Sequence, residues 1–246
     1  MMIPKIIHYC WFGVNPLPPL AEKCIASWRK FLPDYEVRVW NEDNFDVNMI
    51  PYIAEAYRLG KYAFVSDYAR FWILYKYGGL YFDTDVEVIR PMDDLIEKGD
   101  FMGCESDAQH GAMPTVAPGL GLGISAGSSL VKKLLDEYEG KHFILSDNGV
   151  VQETIVDITT RVLVQAGLKS ISGIQKLEGV WIYPSEYFCP IHIVTKRLHI
   201  TPNSRTIHHY MASWKEGGSS VKERIRRCMP EWVLLVFNRL KKFAKI

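Results

Sequence analysis

Residues 66–87 read SDYARFWILYKYGGLYFDTDVE, and the order of patterns within them decides the fold. The first half has the composition of a helix, which Ser66 or Asp67 can cap at its start. Gly78-Gly79 then provides a flexible stop. The stretch therefore predicts a helix over 66–77 that turns directly into the segment containing two aspartates.

Apolar and polar side chains alternate from 80 to 88, which predicts one continuous strand. On that strand Asp83 and Asp85 would share a face and repel, unless a cation or a shared proton offset the cost. At the carboxyl end of a strand in an α/β sheet they would face the crevice where ligands bind. A solvated edge strand, or two aspartates in a turn, is the alternative.

The N-terminal segment predicts a βαβ unit. Residues 5–11 and 37–40 are short, mostly apolar strand patterns, with an amphipathic helix between them. The apolar stripe of that helix is Leu20, Cys24, Trp28 and Phe31. Strand–helix–strand from the first residues favours an α/β fold with a parallel sheet.

Further elements follow the same alternation of helices and strands. Helices are expected at 51–60, 128–139 and 149–166, and strands at 101–105 and within 174–193. The Gly-rich segment 119–127 has a G-x-G-x-G spacing that differs from the dinucleotide fingerprint, so no nicotinamide site is predicted. A close backbone approach and a phosphate contact are equally compatible with its glycines.

Composition limits the function classes. A chain of 246 residues can bury one sizeable core, and a net charge of +1 argues against a nucleic-acid-coating surface. The five cysteines are scattered without zinc spacing, which favours reduced thiols. The N-terminal sequence has no signal-peptide pattern and no stretch is long enough to span a bilayer, so a cytoplasmic location is expected.

The C-terminal segment 221–246 has a different composition from residues 1–220, which we treat as the enzyme domain. Eight basic residues and two acidic ones lie between Lys222 and Lys245, around the apolar run WVLLVF. This pattern is typical of a helix at an anionic membrane surface, here the inner face of the plasma membrane. A C-terminal helix docked on the protein core, with solvated charges, is the alternative.

The segment 66–87 resembles the signature of DxD-containing sugar transferases, a group that includes yeast initiating mannosyltransferase-like enzymes and bacterial capsule transferases. The clostridial glucosylating toxins carry a related version. IPKIIHYCWFG at the N-terminus and TIHHYMASW at 206–214 fit the same resemblance. Three ordered motifs at plausible spacing are more specific than Asp-x-Asp alone.

The resemblance implies a GT-A type α/β fold with a mixed, mostly parallel sheet flanked by helices. It also implies a retaining transfer from a UDP- or GDP-linked sugar to a saccharide or lipid-linked saccharide, as in capsular polysaccharide synthesis. A divalent cation, Mn²⁺ or Mg²⁺, would bridge the DxD and the donor diphosphate, because a hard cation stabilises the negative charge of that leaving group.

Site residues are carried over from the resemblance motif by motif. The implied metal ligands are Asp85, Asp83 (directly or through water) and a histidine, His209 in preference to His208. Sugar contacts are expected from Asp83, Asp67 and Arg70, and nucleotide contacts from Tyr81 and from Trp11 stacked on the base. Ser213 and Trp214 would contact the donor phosphates on a closing loop. Glu105, Gln152 and Asp157 are further candidates for the acceptor side.

Two other functions remain open at this level. LYFDTDVEV also matches the D-x-D-x-V of phosphatase-type hydrolases, with Asp83 as nucleophile. Such enzymes need a later lysine and a distant acidic pair, and Asp93-Asp94 lies too close to supply that pair. A non-catalytic sugar-binding module is the second alternative, which any turnover of the donor would exclude.

Overall fold

A computed structural model describes residues 2–109, 111–145, 149–151, 153–191 and 197–211 of the chain. The predictions for Ser213, Trp214 and the basic segment 221–246, together with the boundary at 220, lie outside these residues. In the described part, no helix is both long enough and apolar enough to cross a bilayer. Cys10, Cys24, Cys104 and Cys189 are buried thiols.

Ten strands and seven helices alternate along the described residues. The strands are β1 (Ile6–Cys10), β2 (Glu36–Trp40), β3 (Gly79–Tyr81), β4 (Val86–Val88), β5 (Phe101–Ser106), β6 (Thr115–Val116), β7 (Leu122–Ile124), β8 (Gln175–Leu177), β9 (Val180–Tyr183) and β10 (Thr206–His208). The helices are α1 (Pro19–Phe31), α2 (Pro51–Arg58), α3 (Tyr62–Tyr77), α4 (Asp93–Ile96), α5 (Ser129–Asp136), α6 (Ile155–Gln165) and α7 (Ser185–Phe188).

The main sheet has the strand order β2-β1-β3-β7-β5-β9-β8, with β6 paired to β5. Strands β2, β1, β3, β5 and β9 run in one direction, and β6, β7 and β8 run in the other. The predicted α/β architecture, a mixed and mostly parallel sheet flanked by helices, is confirmed. The predicted N-terminal βαβ unit is present, because β1 and β2 pair in parallel and α1 connects them.

Two hydrophobic clusters cover the two faces of this sheet. Adjacent residues of one strand contribute to different clusters, as Leu80 and Tyr81 of β3 do. Helices α2, α3, α5 and α6 pack in one cluster, and α1 packs in the other through Cys24 and Trp28. These two side chains are four residues apart on α1, so the helix presents one apolar stripe to the sheet.

The strand predicted over 80–88 is interrupted, which corrects the prediction. Strand β3 ends at Tyr81, and a turn closed by the Val86 N–H donating to the Asp83 carbonyl at 3.0 Å precedes β4. Strand β4 then leaves the main sheet and pairs antiparallel with β10. Asp83 and Asp85 therefore lie in a turn at the carboxyl end of a parallel strand, and they do not share one strand face.

Helix α3 begins four residues earlier than predicted, so Ser66 and Asp67 are not its cap. Lys61 occupies the cap position without a side-chain hydrogen bond, and the Ser66 hydroxyl donates to the Tyr62 carbonyl at 3.1 Å within the helix. The predicted stop is correct, since Gly78 follows the last turn with φ +62°, a conformation that favours glycine.

His8 of β1 fixes the turn between α3 and β3. Its Nδ1 accepts a hydrogen bond from the Trp40 indole at 3.0 Å, so its Nε2 carries the proton and donates to the Gly78 carbonyl at 2.9 Å. The imidazole is fully buried, and burial lowers the pKa of His8 to about 4. His8 is therefore a neutral structural residue at neutral pH.

Candidate active site

Three charged side chains meet where α3 passes the end of β3. The Arg70 guanidinium contacts Asp67 Oδ1 at 2.7 Å and Asp83 Oδ1 at 3.2 Å, and it lies 4.8 Å from the centre of the Tyr81 ring. Arg70 is only 3% exposed. The sequence predicted that Asp67 and Arg70 share a helix face, and the structure adds Asp83 to the pair as a second carboxylate on the same cation.

One cation between two carboxylates leaves the buried cluster short of positive charge. Burial raises the pKa of Asp67 to about 7, because the charge of Asp83 adds to desolvation and Arg70 offsets only part of both. The guanidinium itself stays charged at any pH at which the protein is folded. The cluster therefore suits a ligand that donates hydrogen bonds, such as the hydroxyl groups of a sugar.

Gly119 allows Asp83 to take its position. The Asp83 N–H donates to the Gly119 carbonyl at 3.1 Å, and a Cβ on residue 119 would lie 1.9 Å from Asp83 Oδ2. Sequence reasoning left a close backbone approach open for this Gly-rich segment without linking it to the DxD. The spacing of the glycines could signal such an approach, although it contains no information on which side chain comes near.

Asp85 is held by residues 208–211, which we call the 208–211 strap. His208 Nε2 lies 3.1 Å from Asp85 Oδ1, and the Met211 N–H donates to Asp85 Oδ2 at 2.8 Å. The His209 N–H donates to the Asp85 carbonyl at 3.0 Å. Pairing of β10 with β4 brings the strap to this turn.

The electrostatics of this contact favour a charged pair. Burial acts to raise the pKa of Asp85, but the contacts with His208 and the Met211 N–H outweigh it and lower the pKa. Burial acts to lower the pKa of His208, but Asp85 outweighs it and raises the pKa. His208 Nδ1 is buried and has no hydrogen-bond partner in the described part of the chain.

His209, the histidine that the resemblance favoured, points elsewhere. Its Nε2 lies 2.8 Å from Glu87 Oε2, and Lys23 Nζ contacts the same oxygen at 3.0 Å. The two neighbouring histidines thus contact two different carboxylates, because consecutive side chains at the end of β10 point to opposite sides. Of the two, His208 is the one placed against the DxD.

Of the two side chains predicted to contact the nucleotide, Trp11 is half-buried and Tyr81 is buried. The indole N–H of Trp11 donates to the Asn15 carbonyl at 2.7 Å, and its ring is half-buried at the end of β1. Tyr81 is 1% exposed and donates its hydroxyl proton to Asp83 Oδ1 at 3.2 Å. Stacking of Trp11 on a base stays a prediction.

A divalent cation fits the residues at Asp85. Carboxylate oxygens and an imidazole nitrogen suit Mn²⁺, and the buried His208 Nδ1 has no hydrogen-bond partner among the described residues, whereas Nε2 contacts Asp85. Within those same residues, no group of three or more His, Cys, Asp or Glu side chains is already gathered at metal spacing. Asp85 and His208 would provide two protein ligands to such an ion, and a bound diphosphate would have to provide others.

A separate cavity of about 600 Å³ lies between α2, α6 and the segment around 141–151. Its lining is Tyr52, Lys141, His142, Ile144, Leu145, Val151, Glu153 and Ile158. None of the residues predicted for the site lines it. The charged cluster and the cavity are thus different features of the molecule.

Comparison with known proteins agrees with the motif at the centre of this geometry. Residues 18–102 match the family described as a glycosyltransferase sugar-binding region containing a DXD motif. This matched segment is similar to the DXD sugar-binding regions of that family. It extends from α1 to the start of β5 and so contains Asp67, Arg70 and both aspartates of the turn.

Curated relatives match the chain around the DXD region. Inositol phosphoceramide mannosyltransferase 3 of Schizosaccharomyces pombe is 36% identical over 101 residues, which cover 38% of this chain and 27% of the relative. Inositol phosphoceramide mannosyltransferase 1 of the same yeast is 31% identical over 111 residues, which cover 41% and 33%. The chain thus spans about a third or less of the length of these two relatives.

Solved glycosyltransferase structures resemble the whole chain more distantly. The galactosyltransferase LgtC, solved with donor and acceptor sugar analogues, is 18% identical with a TM-score of 0.48, covering 92% of this chain and 98% of its own. The PaToxG glycosyltransferase is 20% identical with a TM-score of 0.47, covering 66% and 69%.

Proposed function

We propose that the protein is a metal-dependent glycosyltransferase that moves a sugar from a nucleoside diphosphate to a hydroxyl acceptor. The observation that carries this proposal is the position of the DxD turn. Asp83 belongs to a buried Arg–carboxylate cluster, whereas Asp85 lies against a histidine from a distant strand. One side of the turn suits a polyhydroxylated ring and the other suits a cation with its diphosphate.

Asp67, Arg70 and Asp83 form the sugar-binding side in this proposal. Their carboxylates accept hydrogen bonds from sugar hydroxyls, and Arg70 holds both carboxylates in place with its planar guanidinium. Burial keeps water away from these bonds, so the orientation of the sugar relative to the leaving group is well defined.

Asp85 and His208 form the metal side, with Asp83 within reach through a water molecule. This choice replaces His209, the histidine that the resemblance favoured, with His208, because only His208 lies against Asp85. A Mn²⁺ or Mg²⁺ ion held there would supply positive charge to stabilise the diphosphate leaving group. His208 and the Met211 N–H keep the Asp85 carboxylate ionised, which suits it to bind a cation.

The identities of the donor sugar and the acceptor are proposed from the names of the curated relatives. Two curated relatives are named for mannosyl transfer to inositol phosphoceramide. We therefore propose a mannosyl donor first and an acceptor hydroxyl presented by a lipid headgroup, ahead of a capsular saccharide. Retention of anomeric configuration, a cytoplasmic location and membrane contact through 221–246 stay predictions.

Calorimetry with GDP, UDP and their mannose, glucose and galactose conjugates, with and without Mn²⁺, tests the proposal. We expect one nucleotide to bind only with Mn²⁺, and Asp85→Asn to weaken that binding about a hundredfold, as expected for a lost charged ligand. His209→Gln is the matched control, since its ring contacts Glu87 and should leave Mn²⁺-dependent binding within about twofold.

A phosphatase-type hydrolase is the alternative enzyme, and it would not be expected to bind a nucleotide-sugar donor. It requires Asp83 as a nucleophile, but both Asp83 oxygens already accept hydrogen bonds, one from Arg70 at 3.3 Å and one from Tyr81 at 3.2 Å. A folded protein that binds none of the donors, yet releases phosphate from p-nitrophenyl phosphate in an Asp83-dependent manner, would favour the hydrolase.

A further inference from the structure

Tyr210 lies in the middle of the 208–211 strap, and the resemblance gives it no role although it falls within TIHHYMASW. Its neighbours His208, His209 and Met211 each contribute one contact to Asp85. Three contacts from four consecutive residues, two to the carboxylate and one to the backbone carbonyl, require the chain to curl around a single aspartate. Tyr210 is the residue at which the chain curls.

The backbone of Tyr210 is in the left-handed region, with φ +51°. Of the described non-glycine residues, only Glu178 shares a positive φ. Such a conformation costs a bulky residue free energy, which surrounding contacts must offset, and it concentrates at functional sites. A glycine would adopt this φ without cost, so the tyrosine side chain must provide a compensating interaction.

The side chain of Tyr210 has contacts on its ring and on its hydroxyl group. Its ring centre lies 4.1 Å from that of His208, so the imidazole is held between this ring and Asp85. Its hydroxyl donates to Glu105 Oε1 at 3.0 Å, and the Cys189 thiol lies 2.9 Å from the hydroxyl oxygen.

These contacts connect three distant segments at one hydroxyl group. Glu105 is on β5, Cys189 directly follows α7, and Tyr210 follows β10. Strand β5 belongs to the main sheet and β10 to the separate two-stranded sheet. The hydroxyl of Tyr210 thus links the strap to the rigid main sheet at a point close to His208.

We propose that Tyr210 is a positioning residue that holds His208 against Asp85, so that its hydroxyl contacts with Glu105 and Cys189 set the affinity of the site for a divalent cation. This inference rests on the proposed function, since it assigns Tyr210 to the metal side of the same site. It goes beyond that function by naming a residue on which metal affinity depends and to which the resemblance assigns no role.

Tyr210→Phe is the deciding variant, because it removes the hydroxyl contacts and keeps the ring beside His208. Free Mn²⁺ measured by electron paramagnetic resonance, in the presence and absence of GDP or UDP, gives the affinity without any reaction. We expect an affinity about tenfold weaker than wild type, the effect of one to two lost hydrogen bonds. The KM for the donor sugar should rise by a similar factor, with a smaller change in kcat.

Tyr183→Phe is the matched control. Tyr183 is also a buried tyrosine, but its hydroxyl has no hydrogen-bond partner within the described residues. We expect its Mn²⁺ affinity to equal that of wild type. Glu105→Leu should weaken Mn²⁺ binding as Tyr210→Phe does, and the double variant should be no weaker than either single one, because both remove the same contact.

Equal Mn²⁺ affinity of wild type and Tyr210→Phe would overturn the inference and leave the proposed function intact. Additive losses in the double variant would also overturn it, since Glu105 and Tyr210 would then act separately. A folded wild-type protein that binds no Mn²⁺ with either nucleotide would refute the metal site itself, and with it the role of Tyr210.

Discussion

Asp83 is held by side chains from residues 67–81, whereas Asp85 is held by a strap more than a hundred positions along the chain. The first aspartate belongs to a buried ionic cluster on a helix and a strand of the main sheet. The second depends on backbone N–H groups and one histidine that arrive with β10. The difference teaches that the two halves of one short motif can be held by independent sets of contacts, one local in sequence and the other long-range.

Arg70→Met should have the largest effect, because Arg70 contacts both Asp67 and Asp83. The variant leaves two buried carboxylates without their cation, and removing one partner of a buried ion pair costs about 3–5 kcal/mol of unfolding free energy. Urea unfolding at pH 7 measures this loss. Arg38→Met is the control, since its pair with Glu36 is exposed and should be worth under about 1 kcal/mol. Equal losses in the two variants would contradict a buried cluster that stabilises the fold.

Acid should lower the stability of the fold through His8, which holds the turn between α3 and β3. The pKa of His8 is about 4 in the folded protein and 6.5 when unfolded. Between these values only the unfolded chain binds the proton, so unfolding free energy falls by about 3 kcal/mol as the pH drops from 6.5 to 4. His8→Gln cannot titrate, so its stability should depend less on pH. Parallel pH profiles from urea unfolding of the two proteins would show that His8 contributes nothing to acid sensitivity.

Gly119→Ala tests how tightly Asp83 is fixed. The new methyl group would clash with Asp83 Oδ2, and rotating the carboxylate away breaks its contacts with Arg70 and Tyr81. We expect a loss of about 1–3 kcal/mol, the usual cost of overpacking. In an Asp83→Ala background the clash with the carboxylate disappears and only the 2.9 Å approach to Arg70 Nη1 remains, so the same substitution should cost much less. Equal costs in both backgrounds would mean that Gly119 acts independently of Asp83.

His208→Gln should affect the Asp85 half with the smallest change in stability. It removes one contact to Asp85 and retains the Met211 N–H bond, so the unfolding free energy should change by about 1 kcal/mol. Its Mn²⁺ affinity, measured by electron paramagnetic resonance, should nevertheless fall at least as far as in Tyr210→Phe. A large loss of stability with unchanged Mn²⁺ affinity would contradict a role of His208 in binding the cation.

The sequence predicted the Asp83 half well because its information is local. Helical spacing alone brings Asp67 and Arg70 to one face, and Gly78 ends the helix where expected. The prediction of a continuous strand over 80–88 was wrong, because apolar and polar residues keep alternating through the turn at Asp83–Asp85. This alternation gives no sign that the chain passes from one sheet to another there. The expected caps at Ser66 and Asp67 failed because α3 starts earlier in a less distinctive sequence.

The Asp85 half could not be resolved from the sequence because its contacts are long-range. Whether His208 or His209 reaches Asp85 depends on the register of β10 against β4, and a shift of one residue would exchange them. Tyr210 gave no local signal and Glu105 was expected on the acceptor side, since a left-handed tyrosine and a carboxylate at the end of β5 are related only in the folded molecule.

The pairing of β10 with β4 also has a consequence for biosynthesis. Residues 86–88 leave the ribosome long before their partners at 206–208, and contacts between such distant segments form late and slowly. A nascent chain can thus complete the Asp67–Arg70–Asp83 cluster while the contacts to Asp85 do not yet exist. Any product of premature termination before residue 208 would lack the strap contacts that hold Asp85.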